Sequence, residues 1–328
     1  MREGIALTAF TPRGKELAQH LAASLSGAVR EEKNLSAWVS ERFKTCEALV
    51  FVGAAGIAVR SIAPHIRSKT EDPAVVCVDE AGHWVIPLLS GHLGGANALA
   101  QKIASLTGGA AVITTATDLN ERFAVDLWAK KQGMHILQPE RIKLISSKIL
   151  RDEELVIDCP YPVSGTEPSY VNLNSPGDVL VSYRAEKTDA LQLVPCMLTL
   201  GIGCRRGTDT ETLESAFSAF CDERGLRPEA IGRAASIDLK RNEAGLLAFC
   251  KARGWPIAFY SADELRSVHG TFTSSAFVEN TTGVDNVCER AAVLDAGGKL
   301  IERKYARDGV TFAAAEYYVN YNWSWQDG

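Results

Sequence analysis

Val85-Ile86-Pro87-Leu88-Leu89-Ser90-Gly91-His92-Leu93-Gly94-Gly95-Ala96-Asn97 is the stretch that decides the fold. An apolar run of strand length ends in a glycine-rich loop, and beyond it Leu99, Ile103 and Leu106 recur on one helical face. Strand, glycine loop and helix together form the unit from which α/β sheets are built. Working outward, apolar runs at 5–10, 48–52, 74–78 and 110–114 alternate with helical patterns such as Leu17, Leu21 and Leu25. Largely apolar strands with helices between them predict a parallel or mostly parallel sheet. Only Asp79-Glu80-Ala81-Gly82-His83 separates 74–78 from 85–89, too short for a crossover helix, so this pair is open to an antiparallel arrangement and the sheet to being mixed.

Between about 138 and 195 the character changes. Pro139, Pro160, Pro162, Pro168 and Pro176 restrict long regular elements, which predicts a small middle region of short strands and turns. From Met197 the rhythm returns, with strands expected at 198–202, 234–237 and 257–260 and helices at 209–224 and 242–253. Thr208-x-x-Glu211 and Ser261-x-x-Glu264 both have capping-box spacing, and Gly225, Gly254 and Gly297 stand where helices should stop. Val284, Val287, Cys288, Ala291 and Leu294 form a last apolar stripe. Runs at 300–305 and 310–315, joined through Asp308-Gly309, predict a closing hairpin. The expected fold class is therefore α/β: two α/β domains with mostly parallel or mixed sheets, joined by a small Pro-rich middle region.

Composition bounds the function. Hydrophobic residues at 46% and charged residues at 23% exclude disordered, collagen-like and coiled-coil chains. Lys+Arg 35 against Asp+Glu 40 argues against a nucleic-acid partner held on one large basic surface, so an anionic ligand must be gripped locally. The start of the chain lacks the long apolar core of a signal peptide, and 48–59, carrying Gly53 and Gly56 and ending at Arg60, falls short of the ~20 residues of a membrane span. A cytoplasmic protein without a membrane partner is expected. The cysteines include no C-x-x-C pair and the histidines no H-E-x-x-H, which argues against a disulfide framework and against a metal held by the protein.

The chemistry is expected where strands end in glycine-rich loops. Backbone amides in Ser90-Gly91-His92-Leu93-Gly94-Gly95-Ala96-Asn97 precede a helix, whose dipole favours an anion or a developing oxyanion, and His92 adds a group that moves protons near neutral pH. A tight turn with a surface histidine explains the same residues. At Thr114-Thr115-Ala116-Thr117-Asp118 hydroxyls and a carboxylate suit orientation of a water, although helix capping is the simpler reading. Gly53 and Gly56 open a further helix with Arg60 one turn in. In the last third, Gly203-Cys204-Arg205-Arg206 sets two guanidinium groups, each suited to bidentate carboxylate binding, beside outward amides. Cys204 reads either as a low-pKa thiol or, the favoured alternative, as a buried hydrophobe. Ser236 and Lys240 end another strand, Ser274 and Ser275 lie in a hydroxyl-rich loop, and Lys304 on the hairpin is either a ligand group or edge protection. No G-x-G-x-x-G, Walker A or G-x-S-x-G motif is present, so nucleotide cofactors have no support. Paired loops mixing amides with Arg and Lys fit a large polyanionic small molecule. The dense aromatics Tyr317, Tyr318, Tyr321, Trp323 and Trp325 read as packing rather than a stacking platform.

These segments together resemble the cobalt-precorrin-5A hydrolase (CbiG) family of anaerobic cobalamin biosynthesis. The resemblance rests on Gly53-Ala54-Ala55-Gly56-Ile57-Ala58-Val59-Arg60, Asp72-Pro73-Ala74, Leu88 through Asn97, Thr114 through Asp118, Phe123-Ala124-Val125-Asp126, Gly201 through Gly207, Ser236 through Lys240 and Phe259 through Leu265. It spans most of the chain; the middle region adds little and 317–325 lies beyond it. The family's portions fall near 1–135, 136–195 and 196–328, and the last also resembles the free-standing CobE proteins of the aerobic pathway. The resemblance implies an enzyme that opens the δ-lactone between the ring A acetate and C20 of a cobalt corrinoid precursor, then expels C20 with its methyl group as acetaldehyde. It implies no cofactor beyond the cobalt that arrives within the substrate, cobalt-precorrin-5A, with homodimers or transient contacts with other pathway enzymes left open. On that basis the first domain is expected to carry the chemistry: His92 for water activation or proton transfer, the amides of Gly94 and Gly95 for the oxyanion, Asp118 for orientation. Arg60, Arg205, Arg206, Lys240 and Lys304 would hold peripheral carboxylates, with Gly53, Gly56, Ser90, Gly91, Asn97, Thr114, Thr115, Gly203, Cys204, Ser236, Ser274 and Ser275 also facing substrate. The alternative is a tetrapyrrole carrier or scaffold that performs no chemistry.

Overall fold

A computed structural model describes residues 2, 4–68, 71–91, 94–114 and 122–325. The chain divides into two compact units, one comprising Met1–Lys130, Ile142–Glu153 and Ser324–Gly328, the other Lys131–Arg141 and Glu154–Trp323. Among the described residues no helix is long and apolar enough to cross a membrane.

The first unit is a six-stranded sheet in the order β2-β1-β3-β4-β5-β6, formed by β1 Ile5–Ala9, β2 Ala28–Val29, β3 Ala48–Val52, β4 Ala74–Val78, β5 Trp84–Leu89 and β6 Ala110–Ala111. β2, β1, β3 and β4 are parallel, whereas β5 runs antiparallel to β4 and parallel to β6, so the sheet is mixed. Every residue of β3 and β4 is buried because both faces are covered. Val50, Val52, Val76 and Val78 meet α1 Pro12–Leu25 and α4 Ala96–Thr107, while Leu49, Phe51, Val75 and Cys77 meet α2 Leu35–Thr45 and α3 Ala55–Ile62. Alternate residues of one strand feeding two cores explain why these strands read as unbroken apolar runs. α5 Val125–Lys131 and α6 Ile142–Leu150 follow.

In the second unit the proline-rich segment forms its own sheet, β10-β8-β11-β12-β7, from β7 Met134–Ile136, β8 Leu155–Asp158, β10 Val171–Leu173, β11 Val179–Val181 and β12 Leu191–Pro195; β9 Val163–Ser164 pairs with the late strand β18 Tyr321–Asn322. All its pairings are parallel except β12 with β7. The unit's other sheet has the order β15-β14-β13-β17-β16, with β13 Leu198–Cys204, β14 Ile231–Ile237 and β15 Ile257–Tyr260 parallel, then β17 Val310–Glu316 antiparallel to β13 and β16 Lys299–Arg307 antiparallel to β17. α7 Thr210–Arg224 and α8 Ala244–Ala252 cover one face. α9 Ala262–Ser267, α10 Ala276–Thr282 and α11 Cys288–Ala296 belong to the other side.

The local signals behave unequally. The Ser261 capping box forms, with Glu264 reaching back to the Ser261 amide, and Gly225 and Gly297 end α7 and α11 in the left-handed region. The predicted box at Thr208 does not form. The cap is Asp209, whose Oδ1 accepts the Thr212 N–H at 2.7 Å, while the Thr208 hydroxyl donates to the Arg205 carbonyl at 2.9 Å and closes the preceding turn. The stripe from Val284 is helical only from Cys288. In the tail, Tyr321 and Trp323 are buried and Trp325 stacks edge-on against Phe123, whereas Tyr318 is exposed.

Candidate functional site

Strand ends converge at one edge of the second unit's last sheet. Because β17 runs antiparallel to β13, it begins where β13 finishes, Cys204 pairing with Val310, and the Asp308-Gly309 turn of the hairpin lands beside the loop Cys204-Arg205-Arg206-Gly207. A cavity of about 770 Å³ opens at this edge. Its buried lining is apolar at Ile237, Val287, Cys288 and Val310 and polar at Asn286, and around it stand Arg205, Arg206, Lys240, Lys304 and Arg307. The acid in the lining is Asp308, 3.5 Å from Arg307, and Lys240 Nζ sits 3.1 Å from Glu243 Oε1. Arg205, Arg206 and Lys304 have no ion-pair partner among the described residues. A mostly apolar basin with Arg205, Arg206 and Lys304 in no ion pair among the described residues suits a largely apolar ligand with peripheral carboxylates.

The turn that carries the arginines is held at each step. Arg205 N–H donates to the Gly309 carbonyl at 3.1 Å and Gly207 N–H to Glu243 Oε2 at 2.8 Å. That amide, and then the Lys240 ammonium, hold the Glu243 carboxyl below the usual glutamate range. Burial pushes the Cys204 thiol up, with Lys240 offsetting only part of the effect, so Cys204 lines the cavity as a neutral thiol. Ser275 lines it as well; Ser274 is exposed and lies outside the lining. Ser236 does not reach the cavity: it is fully buried and its hydroxyl donates to the Ile202 carbonyl at 2.7 Å, tying β14 to β13.

In the first unit the candidate loops fall on opposite edges of the sheet. Gly53 and Gly56 follow the carboxyl end of β3, and the exposed Arg60 folds back to donate to the Gly56 carbonyl at 3.3 Å. Since β5 runs antiparallel to β4, its carboxyl end lies at the other edge, where Leu89 pairs with Val75 near the start of β4. Thr114, following β6, shares that edge because β6 is parallel to β5. There Ser90 adopts φ 58°, and its hydroxyl donates to the Asp72 carbonyl at 3.0 Å. The loop folds back on itself so closely that a Cβ on Gly94 would stand 2.3 Å from the Ser90 Cβ. Ala96 and Asn97 donate their amides to the Ser90 and Gly91 carbonyls, at 3.1 and 3.0 Å, whereas the Gly94 and Gly95 amides have no acceptor among the described residues. A methyl group on Gly95 would sit 3.8 Å from Lys130 Nζ, so the start of α4 joins donor amides to an ammonium. His92, Thr115 and Asp118 lie outside the described residues.

Gly203, Cys204, Arg205, Arg206, Lys240, Ser275 and Lys304 are thus brought together, as are Ser90, Gly91, Gly94, Gly95, Asn97 and Thr114 at a second place, while Gly53, Gly56 and Arg60 stand apart from the latter. No motif in the sequence pointed to Arg307, Thr311 and Asn286 in the cavity lining, to Glu243 on the Gly207 amide, or to Lys130 beside Gly95. Arg307 had only a positional signal, since it directly precedes the hairpin turn; Lys130 had none, being brought to the loop only by tertiary packing. Among the described residues no group of His, Cys, Asp and Glu side chains could hold a metal.

The family description "Cobalamin synthesis G N-terminal" matches residues 37–118, and "Cobalamin synthesis G C-terminus" matches 198–315. The chain is 35% identical to the cobalt-precorrin-5A hydrolase of Salmonella typhimurium over 94% of its own length and 96% of the relative's. It is 31% identical to the cobalt-precorrin-5A hydrolase of Priestia megaterium, covering 83% and 79% respectively. Protein CobE of a Sinorhizobium species is 31% identical over 36% of this chain and 79% of its own.

Proposed function

The chain belongs to the cobalt-precorrin-5A hydrolase (CbiG) family of enzymes, and from that premise we propose that it converts cobalt-precorrin-5A and water into cobalt-precorrin-5B and acetaldehyde. Water adds to the lactone carbonyl and the ester C–O bond breaks, leaving the ring A acetate and a free C20 oxygen. That oxygen then becomes the aldehyde carbonyl as the bond from C20 to the macrocycle breaks, the electron pair staying on the macrocycle, which takes up a proton. Such a path needs a base for the water, donors for the oxyanion and cations for the substrate's carboxylates. His92 supplies water activation or proton transfer and Asp118 orients the water or substrate oxygen, while the Gly94 and Gly95 amides, which have no acceptor among the described residues and start α4 near Lys130, face the oxyanion. Arg205, Arg206, Lys240 and Lys304 bind peripheral carboxylates. Cobalt enters inside the substrate, the reaction takes place in the cytoplasm, and a second copy of the chain or other pathway enzymes are contacts rather than reactants.

The observation that carries the reading is the mostly apolar cavity of about 770 Å³ with Arg205, Arg206 and Lys304 around it, none of them in an ion pair among the described residues. Purified protein given cobalt-precorrin-5A should release acetaldehyde in proportion to turnover. His92→Ala should lower kcat by about 10²–10⁴, and Arg206→Ala should raise KM with kcat nearly unchanged. Binding of the substrate without acetaldehyde release would mark a carrier instead.

A further inference from the structure

β16 leaves its ladder where the cavity begins. Glu302 pairs with Ala314 but Tyr305 with Phe312, three steps against two, so Arg303 and Lys304 form a bulge. Bulges re-aim side chains and free an amide from the ladder. Here the freed Lys304 N–H donates to Glu289 Oε1 at 2.7 Å, and the Lys304 side chain lines the cavity. Glu289, in the first turn of α11, is 0% exposed, and its carboxylate also accepts the Thr273 N–H at 2.8 Å and the Thr273 hydroxyl at 2.7 Å. Asn286, 1% exposed, completes the grip: its Oδ1 accepts the Glu289 N–H and its Nδ2 donates to the Thr273 carbonyl, both at 2.9 Å. Two residues beyond Thr273, Ser275 N–H donates to the Asp285 carbonyl at 3.0 Å.

A buried carboxylate is costly unless its oxygens are fully hydrogen-bonded. Packing alone would be served by an apolar side chain; what this carboxylate adds is a fixed geometry among a strand bulge, a helix start and the loop leading into α10. We infer that Glu289 is a positioning residue for the cavity: by tying the Lys304 bulge to the Thr273 loop, it holds Lys304 in the cavity lining to which Ser275 also belongs. The inference rests on the reading of the cavity as the site for substrate carboxylates.

The test is a double-mutant cycle in the full-length protein with cobalt-precorrin-5A as substrate and KM and kcat measured separately. Glu289→Gln keeps the volume but sets an amide NH₂ against at least one of the donors. It and Lys304→Ala should each raise KM about tenfold, with kcat within about twofold of wild type. The double variant should rise no further than the larger single, since both act through one ammonium. A folded Glu289→Gln protein with wild-type KM, beside a raised KM in Lys304→Ala, overturns the inference alone, as do effects that multiply in the double variant. A wild-type KM in Lys304→Ala overturns the cavity reading and the inference with it. If Glu289→Gln does not accumulate folded, Thr273→Val, which removes one donor from the same carboxylate, takes its place in the cycle with an expected rise of about threefold.

Discussion

Glu243 shows how one side chain can carry much of the cavity's shape. It receives the Gly207 amide on one oxygen and the Lys240 ammonium on the other, so it fixes both the arginine turn and a neighbouring cation. Its carboxyl is held below the usual range, chiefly by the Gly207 amide. A lowered folded-state pKa means the stabilisation is complete above the ordinary glutamate value, ~4.3, and is lost as pH falls through the folded value. Glu243→Gln should therefore melt about 2–4 °C below wild type at neutral pH, and the gap should close as thermal unfolding is repeated in acid below about pH 4. A gap that widens in acid would contradict the assignment. Glu243 stood in plain view at the start of a predicted helix, but its partner lies 36 residues earlier, and no local pattern links the two. Arg205 and Arg206 were legible because two arginines after a glycine-bearing strand already imply an anion-facing loop.

The two glycines of β13 separate packing from binding at the level of elements. A Cβ on Gly201 would stand 1.8 Å from the Cys288 carbonyl oxygen, so α11 lies against this strand at a distance only glycine permits. Gly201→Ala must push the helix backbone away and should cost about 1–3 kcal/mol in denaturant unfolding. A Cβ on Gly203 would meet the Thr311 hydroxyl at 2.5 Å, a side-chain group that can turn aside, and it would project where the cavity lining runs. Gly203→Ala should thus raise KM while leaving the unfolding midpoint nearly unchanged, and the reverse pattern would mean the two roles have been exchanged. Element boundaries followed local chemistry where that chemistry had no competitor. The Ser261 box and the Asp308-Gly309 hairpin formed as expected, whereas at Thr208 the next residue, Asp209, had the better cap oxygen and Thr208 closed the turn instead.

At the scale of the molecule, a chain of net charge −5 assembles a local cationic ring, so attraction to an anionic ligand comes from the site and not from the whole surface. Raising NaCl from about 0.1 M to about 1 M shortens the screening length from ~10 to ~3 Å. KM for cobalt-precorrin-5A should then rise severalfold, and an analogue with its carboxylates amidated should show little change in binding; equal salt responses would remove the carboxylate-binding role. The α/β class, the mixed first sheet, the covering helices and the glycine loops were all within reach of the sequence, because they follow from apolar periodicity and backbone chemistry acting over a few residues. Which loops share an edge was decided by strand direction. The antiparallel β5 carries Ser90 away from Gly53, and the antiparallel β17 brings Val310 to Cys204. Direction and register depend on which strands pair across long stretches of chain, a contest settled by burial on both faces of the sheet, and so only the folded molecule could bring Lys304 and Arg205 to one cavity or Lys130 beside Gly95.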